Sequence, residues 1–140
     1  NSYSIGISLG SLMATIMFLN VWLIIWPNQK KVIAGTEDAA EAGAKAALAS
    51  RTNTLFSFPM LYFMIYSAHI SDGKNYFYEI PGVAASGWNM PALYVGTAII
   101  LAIEANAIFG KMRKFMESVK AVIHSGLILT VLFALLVYYY

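Results

Sequence analysis

Four long apolar runs divide this chain and leave few architectures open to it. The runs cover residues 5–26, 53–70, 91–110 and 119–137. A helix of about 20 apolar residues is long enough to cross a bilayer, and it satisfies its own backbone hydrogen bonds where no water is present. The sequence therefore predicts an all-α integral membrane bundle, in which residues 1–140 form a single transmembrane domain of four helices.

Composition separates this chain from a soluble globular domain. Hydrophobic residues make up 59% of it and charged residues 11%, whereas a soluble domain is roughly half apolar and one quarter charged. Cysteine is absent, which excludes cysteine-ligated zinc, iron–sulfur clusters, c-type haem and disulfides. No hydrolase motif is present, so we expect no catalytic residue and no metal site. The net charge of +2 argues against a nucleic-acid partner.

The distribution of basic residues predicts the orientation of the spans. Only Lys74 lies between the second and third spans, while eight basic residues lie in or beside the connections after the first and third spans. Those eight are Lys30, Lys31, Lys45, Arg51, Lys111, Arg113, Lys114 and Lys120. Because basic residues favour cytoplasmic loops, we expect an N-out/C-out protein with multiple spans in the bacterial cytoplasmic (inner) membrane.

The connection at residues 28–51 is polar and rich in alanine. We expect Pro27 to end the first span and a short amphipathic cytoplasmic helix to follow. Thr36 is a candidate N-cap for that helix, and Glu41 and Lys45 are spaced for an i,i+4 ion pair. Pro59 lies early in the second span, where a kink is expected. Residues 71–90 are rich in turn formers and are predicted to form a loop.

One carboxylate, Glu104, interrupts the third apolar run. A charge near the centre of a span costs roughly 2.5–3.5 kcal/mol on insertion scales, so such a residue usually faces protein or water and is a candidate functional site. At 1.5 Å per residue, Glu104, Asn20 and His124 lie roughly 10, 9 and 6 Å from the cytoplasmic end. We predict that these residues and Asn106 share one polar layer, which Asn53 and Thr54 are placed to close.

Three interpretations of this layer stay open. Glu104 and His124 form a buried pair that fixes helix packing, or they exchange protons in a transfer or quinone site, or His124 ligates a haem or pigment. His69 lies roughly 27 Å from the cytoplasmic end, too far for the two histidines to share one b-type haem within one subunit. A hydrogen bond to loop backbone is its expected role, and each histidine remains a candidate ligand for a separate haem or chlorin.

Small residues in the first span predict close helix packing. Gly6, Gly10 and Ala14 are spaced four apart, which places them on one face and lets a neighbouring helix approach closely. We expect this ridge to pack on a helix of a partner subunit.

Two stretches carry a resemblance to a known family. They are NVWLIIWPNQKKVIAG at residues 20–35 and AKAALASRTNTLFSFPMLYFM at residues 44–64. Together they resemble the membrane domain of the bacterial membrane-bound urate oxidase family, in which this domain is often followed by a cytochrome c domain. This chain contains no C-x-x-C-H, so we expect the cytochrome c domain to be absent. The matching positions are Trp26, Pro27, Asn28, Lys30, Lys31, Ser50, Arg51, Asn53 and Thr54.

The resemblance implies a membrane component connected with electron transfer. We expect an accessory or anchoring transmembrane subunit of a respiratory or photosynthetic complex, without catalytic activity of its own. Its partners would be membrane lipid and other transmembrane subunits, with which it would share a b-type haem, a chlorin pigment or a quinone. One alternative is a membrane-bound oxidoreductase of the urate oxidase type that passes electrons to a cytochrome. Another is a proton or small-solute carrier that uses Glu104 and His124.

Overall fold

The computed structural model describes residues 2–70 and 90–139, and most of them are helical. Helix α1 (Ser2–Asn20) continues through a π-helical turn (Val21–Ile25) into α2 (Trp26–Ala34). Helix α3 (Ala39–Ile65) ends in a second π-helical turn (Tyr66–Ile70). Helices α4 (Met90–Phe109) and α5 (Val119–Tyr139) follow, and a 3-10 turn (Lys114–Met116) lies between them. No strand occurs in these ranges, so the predicted all-α class is confirmed. The predicted loop at 71–90 falls almost entirely outside the described residues.

Three helical stretches are long and apolar enough to cross a membrane. They are Ile5–Ala34, Met90–Phe109 and Val119–Tyr138, and they overlap the predicted first, third and fourth spans. The predicted second span, at residues 53–70, is helical but is not one of the candidates within the range searched. Polar residues such as Asn53, Ser57 and His69 interrupt its apolar run. The structure is therefore that of a membrane protein with three candidate spans.

The first helix does not end at Pro27, and that prediction is wrong. A proline lacks an N–H and clashes inside a regular α-helix, but it is tolerated in the first turn. Here Pro27 occupies the first turn of α2. The turn before it is π-helical, and the Trp26 N–H closes that turn by donating to the Val21 carbonyl. The Asn28 side-chain amide donates to the Ile24 carbonyl at 2.7 Å, which adds a donor to the same turn. The helix then continues to Ala34.

The separate amphipathic helix predicted between the first two spans is instead the beginning of α3. Its amphipathic pattern is present: Ala42, Ala46 and Ala49 are buried, while Glu41 and Lys45 form an exposed ion pair at 3.0 Å. The predicted boundary near residue 52 is absent, because the chain has no glycine or proline between residues 44 and 58 that would interrupt a helix. Helix α3 also continues through Pro59.

Helix α3 is the centre of the bundle and contacts α1, α2, α4 and α5. Its Phe63 ring lies 6.0 Å from that of Phe133 on α5, measured between centroids, and both side chains are fully buried. Glycine permits the closest approach of helices at two places. A Cβ atom at Gly96 would lie 2.8 Å from Leu9, and one at Gly126 would lie 2.4 Å from the ring of Phe58. These contacts bring α4 against α1 and α5 against α3.

Candidate functional site

Three polar side chains meet where α1, α3 and α4 approach one another. The side-chain Nδ2 of Asn20 donates to Asn53 Oδ1 at 2.9 Å and to Glu104 Oε2 at 3.0 Å. Asn53 in turn donates from its own Nδ2 to the backbone carbonyl of Met17 at 3.0 Å. Only 2% of Asn20 and 8% of Glu104 is exposed. We call Asn20, Asn53 and Glu104 the amide–carboxyl cluster.

The hydrogen bonds of the amide–carboxyl cluster fix the orientation of both amides. An amide nitrogen carries two hydrogens, and Asn20 uses both of them on acceptors from different helices. A flipped Asn20 would direct its carbonyl oxygen at two acceptors, which would leave Asn53 and Glu104 without a donor. The bond from Asn53 to the Met17 carbonyl directs its own oxygen toward Asn20. The cluster is therefore one consistent network across three helices.

The position of Asn20 follows from the local helix geometry. Asn20 is the last residue of α1, directly before the π-helical turn at Val21–Ile25. A π-helical turn adds a residue to the helix and re-aims the side chains around it, and such turns are frequent at functional sites. Glu104 forms no ion pair with any cation in the described part of the chain. Among the described residues, its carboxyl group is therefore held by a hydrogen bond from one neutral amide.

The structure does not bring His124 to Glu104. His124 is exposed on α5, and its Nδ1 lies 2.7 Å from the Lys120 carbonyl, one turn earlier in the same helix. On that helix Val122 and Gly126 face the bundle. His124 lies two residues from each of them, about 200° around the axis at 100° per residue. The two groups make no hydrogen bond or ion pair, so the predicted Glu104–His124 pair is not formed.

Asn106 also lies apart from the amide–carboxyl cluster. Its Oδ1 accepts a hydrogen bond from Nε of Arg113 at 3.1 Å. Its Nδ2 is buried and has no hydrogen-bond partner in the described part of the chain. Asn106 therefore faces the connection between α4 and α5. Thr54, which directly follows Asn53, donates to the carbonyl of Ser50 in its own helix at 3.1 Å.

The residues next to Asn53 hold that same connection. Arg51 donates from Nη1 to the carbonyls of Met116 and Glu117, at 3.0 and 2.9 Å. The Thr52 hydroxyl donates to the Leu48 carbonyl at 2.9 Å and lies 3.8 Å from the sulfur of Met116, which is fully buried. Three consecutive side chains of α3 thus reach the α4–α5 connection and the amide–carboxyl cluster. The sequence motif contained Arg51 and Asn53, but no pattern in it indicated the carbonyls of Met116 and Glu117.

Comparison with known families identifies the part of the chain that supplies these contacts. The model of the urate oxidase N-terminal family matches residues 4–85, which is more than half of the 140 residues. The chain belongs to the urate oxidase N-terminal family. No curated protein and no solved structure matches it. The family region contains Asn20, Arg51 and Asn53. Asn20, supported by Asn53, binds Glu104, and Arg51 binds the α4–α5 connection; both of these partners lie beyond the family region.

The first family stretch, at residues 20–35, contains the π-helical turn that follows α1. Trp26 stacks edge-on against Trp22 at 5.3 Å between ring centroids, and Nζ of Lys30 lies 3.8 Å above the Trp26 ring. Lys31 forms an ion pair with Asp38 at 3.1 Å. Both tryptophans are about half exposed, as expected for aromatic anchors at a membrane interface.

The small residues of α1 contact this chain's own α3, and their predicted packing on a helix of a partner subunit stays a prediction. A Cβ atom at Gly6 or at Gly10 would lie 3.2 Å from Phe63 of α3. Ala14 is exposed at the edge of a cleft of about 130 Å³, which Met60 of α3 also lines. The close-approach surface of α1 is therefore used largely by this chain's own central helix.

The other predicted ligand, His69, lies exposed in the π-helical turn at the end of α3. The loop backbone predicted to bind it belongs to residues 71–89, outside the described residues. No group of three or more His, Asp or Glu side chains that could hold a metal ion occurs in the ranges described.

Proposed function

We propose that this member of the urate oxidase N-terminal family is an accessory, anchoring transmembrane subunit of a respiratory or photosynthetic electron-transfer complex. The observation that carries the proposal is the use of the family motif for helix packing. Arg51, Thr52 and Asn53 direct their side chains to the helices and connection of this chain. Polar side chains used in this way build a rigid membrane scaffold.

The outer surface of the bundle supports a role within an assembly or in lipid. Large apolar side chains are exposed on α1, on the π-helical turn after it, and on α4 and α5. Among them are Leu23 of that turn at 68% and Ile128 of α5 at 61%. In water such surfaces would be an aggregation hazard, whereas in a bilayer they contact acyl chains or partner helices. The link to electron transfer rests on the family alone.

Copurification tests the proposal. A tagged chain extracted from native membranes in mild detergent should bring down other transmembrane subunits at fixed stoichiometry, among them at least one with a redox cofactor. An unrelated tagged membrane protein of similar size serves as the control. Recovery of the chain alone, or with the same proteins as the control, would contradict the proposal.

We also propose a fourth span and an N-out/C-out orientation in the bacterial inner membrane. Arg51, at the entry to the predicted second span, binds the carbonyls of Met116 and Glu117. The start of that predicted span, near the middle of α3, therefore adjoins the α4–α5 connection. This contact supports a cytoplasmic location for both, because basic residues are concentrated there. The chain has no cysteine, so single cysteines introduced as Glu37→Cys and Lys74→Cys report on opposite sides. A membrane-impermeant thiol reagent applied to intact cells should label only the second.

A second candidate is an oxidoreductase of the urate oxidase type that carries a bound redox group. The observation that favours it is the geometry of His124. Because a carbonyl only accepts, the contact with Lys120 assigns the donor role to Nδ1. In the neutral imidazole the other ring nitrogen, Nε2, is then the one that can bind a metal. Metal-bound histidines usually hold their second nitrogen in this way. His124, or His69, would then supply one ligand to a haem or chlorin that provides the electron chemistry. A purified complex without a haem, chlorin or flavin absorption band would exclude this candidate.

The proton-carrier alternative would rest on Glu104 without a direct partner at His124. Replacing Glu104 with Gln in proteoliposomes tests it, because an amide keeps the hydrogen bond to Asn20 and cannot carry a proton. Loss of proton flux would support a carrier, and unchanged flux would exclude it.

A further inference from the structure

The connection between α4 and α5 is a short segment held in place by side chains from other parts of the chain. Arg51 binds the carbonyls of Met116 and Glu117, and the Ser125 hydroxyl donates to the Phe115 carbonyl at 2.9 Å. The Met116 side chain is fully buried beneath it. Its backbone conformation is therefore fixed by contacts on two sides.

The charge on this segment is strongly positive, and its cations form no ion pair with the described residues. Residues 110–120 contain Lys111, Arg113, Lys114 and Lys120 against one acid, Glu117, and all five side chains are exposed. In the described part of the chain, ion pairs form only at Lys31–Asp38 and Lys45–Glu41. None of these four cations therefore has a carboxylate partner there, and a local excess of three positive charges faces outward.

Among these four cations, Arg113 alone forms a side-chain hydrogen bond with the described residues. Asn106 Oδ1 accepts from its Nε at 3.1 Å, and its terminal nitrogens have no hydrogen-bond partner in the ranges described. A guanidinium held by one edge presents a planar pair of donors, which suits the two oxygens of a phosphate. The buried Asn106 Nδ2 also lacks an acceptor among the described residues, and an unpaired buried donor is costly until an oxygen meets it.

Exposed apolar side chains flank these cations. Phe109 is 87% exposed, Val119 is 70% exposed, and Phe115 lies between them at 43%. Residues Phe109 and Val119 belong to the ends of two candidate spans. A cluster of cations edged by such side chains matches the level of lipid headgroups, where acyl chains and phosphates meet.

We propose that the α4–α5 connection is a binding site for the phosphate of an anionic phospholipid, with Arg113 as the oriented ligand and Lys111 and Lys114 as flanking charges. This site is a property of the membrane domain itself, and it stands independently of the proposed role as a subunit. The occupant is a lipid because the cations and the exposed aromatic rings occur together at the ends of apolar spans.

Native mass spectrometry of the full chain tests the site. The protein is released from nanodiscs that contain equal amounts of phosphatidylglycerol and phosphatidylcholine, and the retained lipid is counted. Wild type should retain phosphatidylglycerol preferentially. Arg113→Gln and Arg113→Lys should both lower that retention, the first by about fivefold, which is the typical effect of one cation near an anionic surface. Lys45→Gln, which removes a charge from the Glu41 pair, is the control and should retain lipid as wild type does.

Three results with folded protein would contradict the site. If Arg113→Lys behaves as wild type, the attraction is a general effect of net charge, without an oriented ligand. Displacement of the lipid by millimolar inorganic phosphate would indicate a free-anion site, and retention of an acidic peptide in its place would indicate a protein partner. Circular dichroism confirms that each variant remains helical. If a variant unfolds, Lys111→Gln combined with Lys114→Gln replaces it in the same assay, and unchanged retention there would overturn the proposal.

Discussion

The side-chain Nδ2 of Asn20 lies 3.0 Å from Oε2 of Glu104, and this bond joins the last residue of α1 to α4. The same nitrogen also reaches Asn53 on α3. One amide therefore connects the family region to a helix beyond it. Because the site is buried among apolar spans, breaking this contact would leave each partner without a hydrogen bond, and water could not replace it.

Glu104→Leu should destabilise the bundle, and Glu104→Gln should not. Leucine leaves one N–H of Asn20 without an acceptor, at a cost of about 0.6–2 kcal/mol for a buried hydrogen bond in a membrane protein. Glutamine keeps an acceptor oxygen at the same position. Unfolding in mixed detergent, followed by circular dichroism, measures the difference. Thr15→Val is the control, because that hydroxyl bonds only to Ser11 in its own helix. Equal stability of the two Glu104 variants would refute the importance of the bond.

For this site the sequence predicts only how deep each polar residue lies along its helix axis. The rise per residue gives similar depths to Asn20, Glu104 and His124, but it says nothing about which neighbour each faces. His124 is directed away by its position between two buried residues of α5, Val122 and Gly126. That face could have been recognised from the helical period of the buried small and apolar positions. The bond from Arg51 to the carbonyls of Met116 and Glu117 depends on tertiary packing and had no sequence signal.

Gly126→Ala and Gly43→Ala should change stability in opposite directions. A Cβ at Gly126 would lie 2.4 Å from the Phe58 ring, so α5 or the ring must move, at a cost of about 1–3 kcal/mol. At Gly43 the nearest atom is Val32 Cγ2 at 3.5 Å, which is ordinary contact. Alanine there should stabilise α3 by roughly 0.5–1 kcal/mol, because glycine is unfavourable within a helix. The same detergent unfolding assay compares them, and a stabilising Gly126→Ala would show that the two helices are not in close contact.

Arg51→Gln should loosen the α4–α5 connection without unfolding the spans. The substitution removes the donor to the carbonyls of Met116 and Glu117. Hydrogen exchange at residues 111–118 should accelerate, while exchange in the middle of α5 stays slow. Lys45→Gln, on the same helix and exposed, should leave the connection unchanged. If exchange at 111–118 is the same in Arg51→Gln and wild type, the contact does not order this segment.

The helix boundaries show a second limit of sequence reasoning. A proline after a tryptophan at the end of an apolar run predicts a terminus, and in most contexts that prediction holds. Here the π-helical turn at Val21–Ile25 places Pro27 in a first turn, where the missing N–H is tolerated. The real end is Gly35, whose φ of 65° lies in the left-handed region that favours glycine. Both Pro27 and Gly35 signal the end of a helix, and the π-helical turn before Pro27 is the reason that the helix ends at Gly35.

The turn after Gly35 should loosen in acid, and Asp38→Asn should remove that response. Donation from the Thr36 hydroxyl, at 2.7 Å, and the nearby ammonium of Lys31 hold the pKa of the Asp38 carboxyl below its ordinary value. A lowered pKa in the folded state means that the carboxylate contributes stability above its ordinary pKa, and that this contribution is lost as the pH falls through the lowered value. Amide exchange at Thr36 and Ala39, corrected for intrinsic pH dependence, should therefore accelerate in wild type from about pH 4 downward. Glu41→Gln should retain this acid response, since Glu41 does not contact the turn. An identical acid profile in wild type and Asp38→Asn would show that the Thr36–Asp38–Lys31 contacts do not hold the turn.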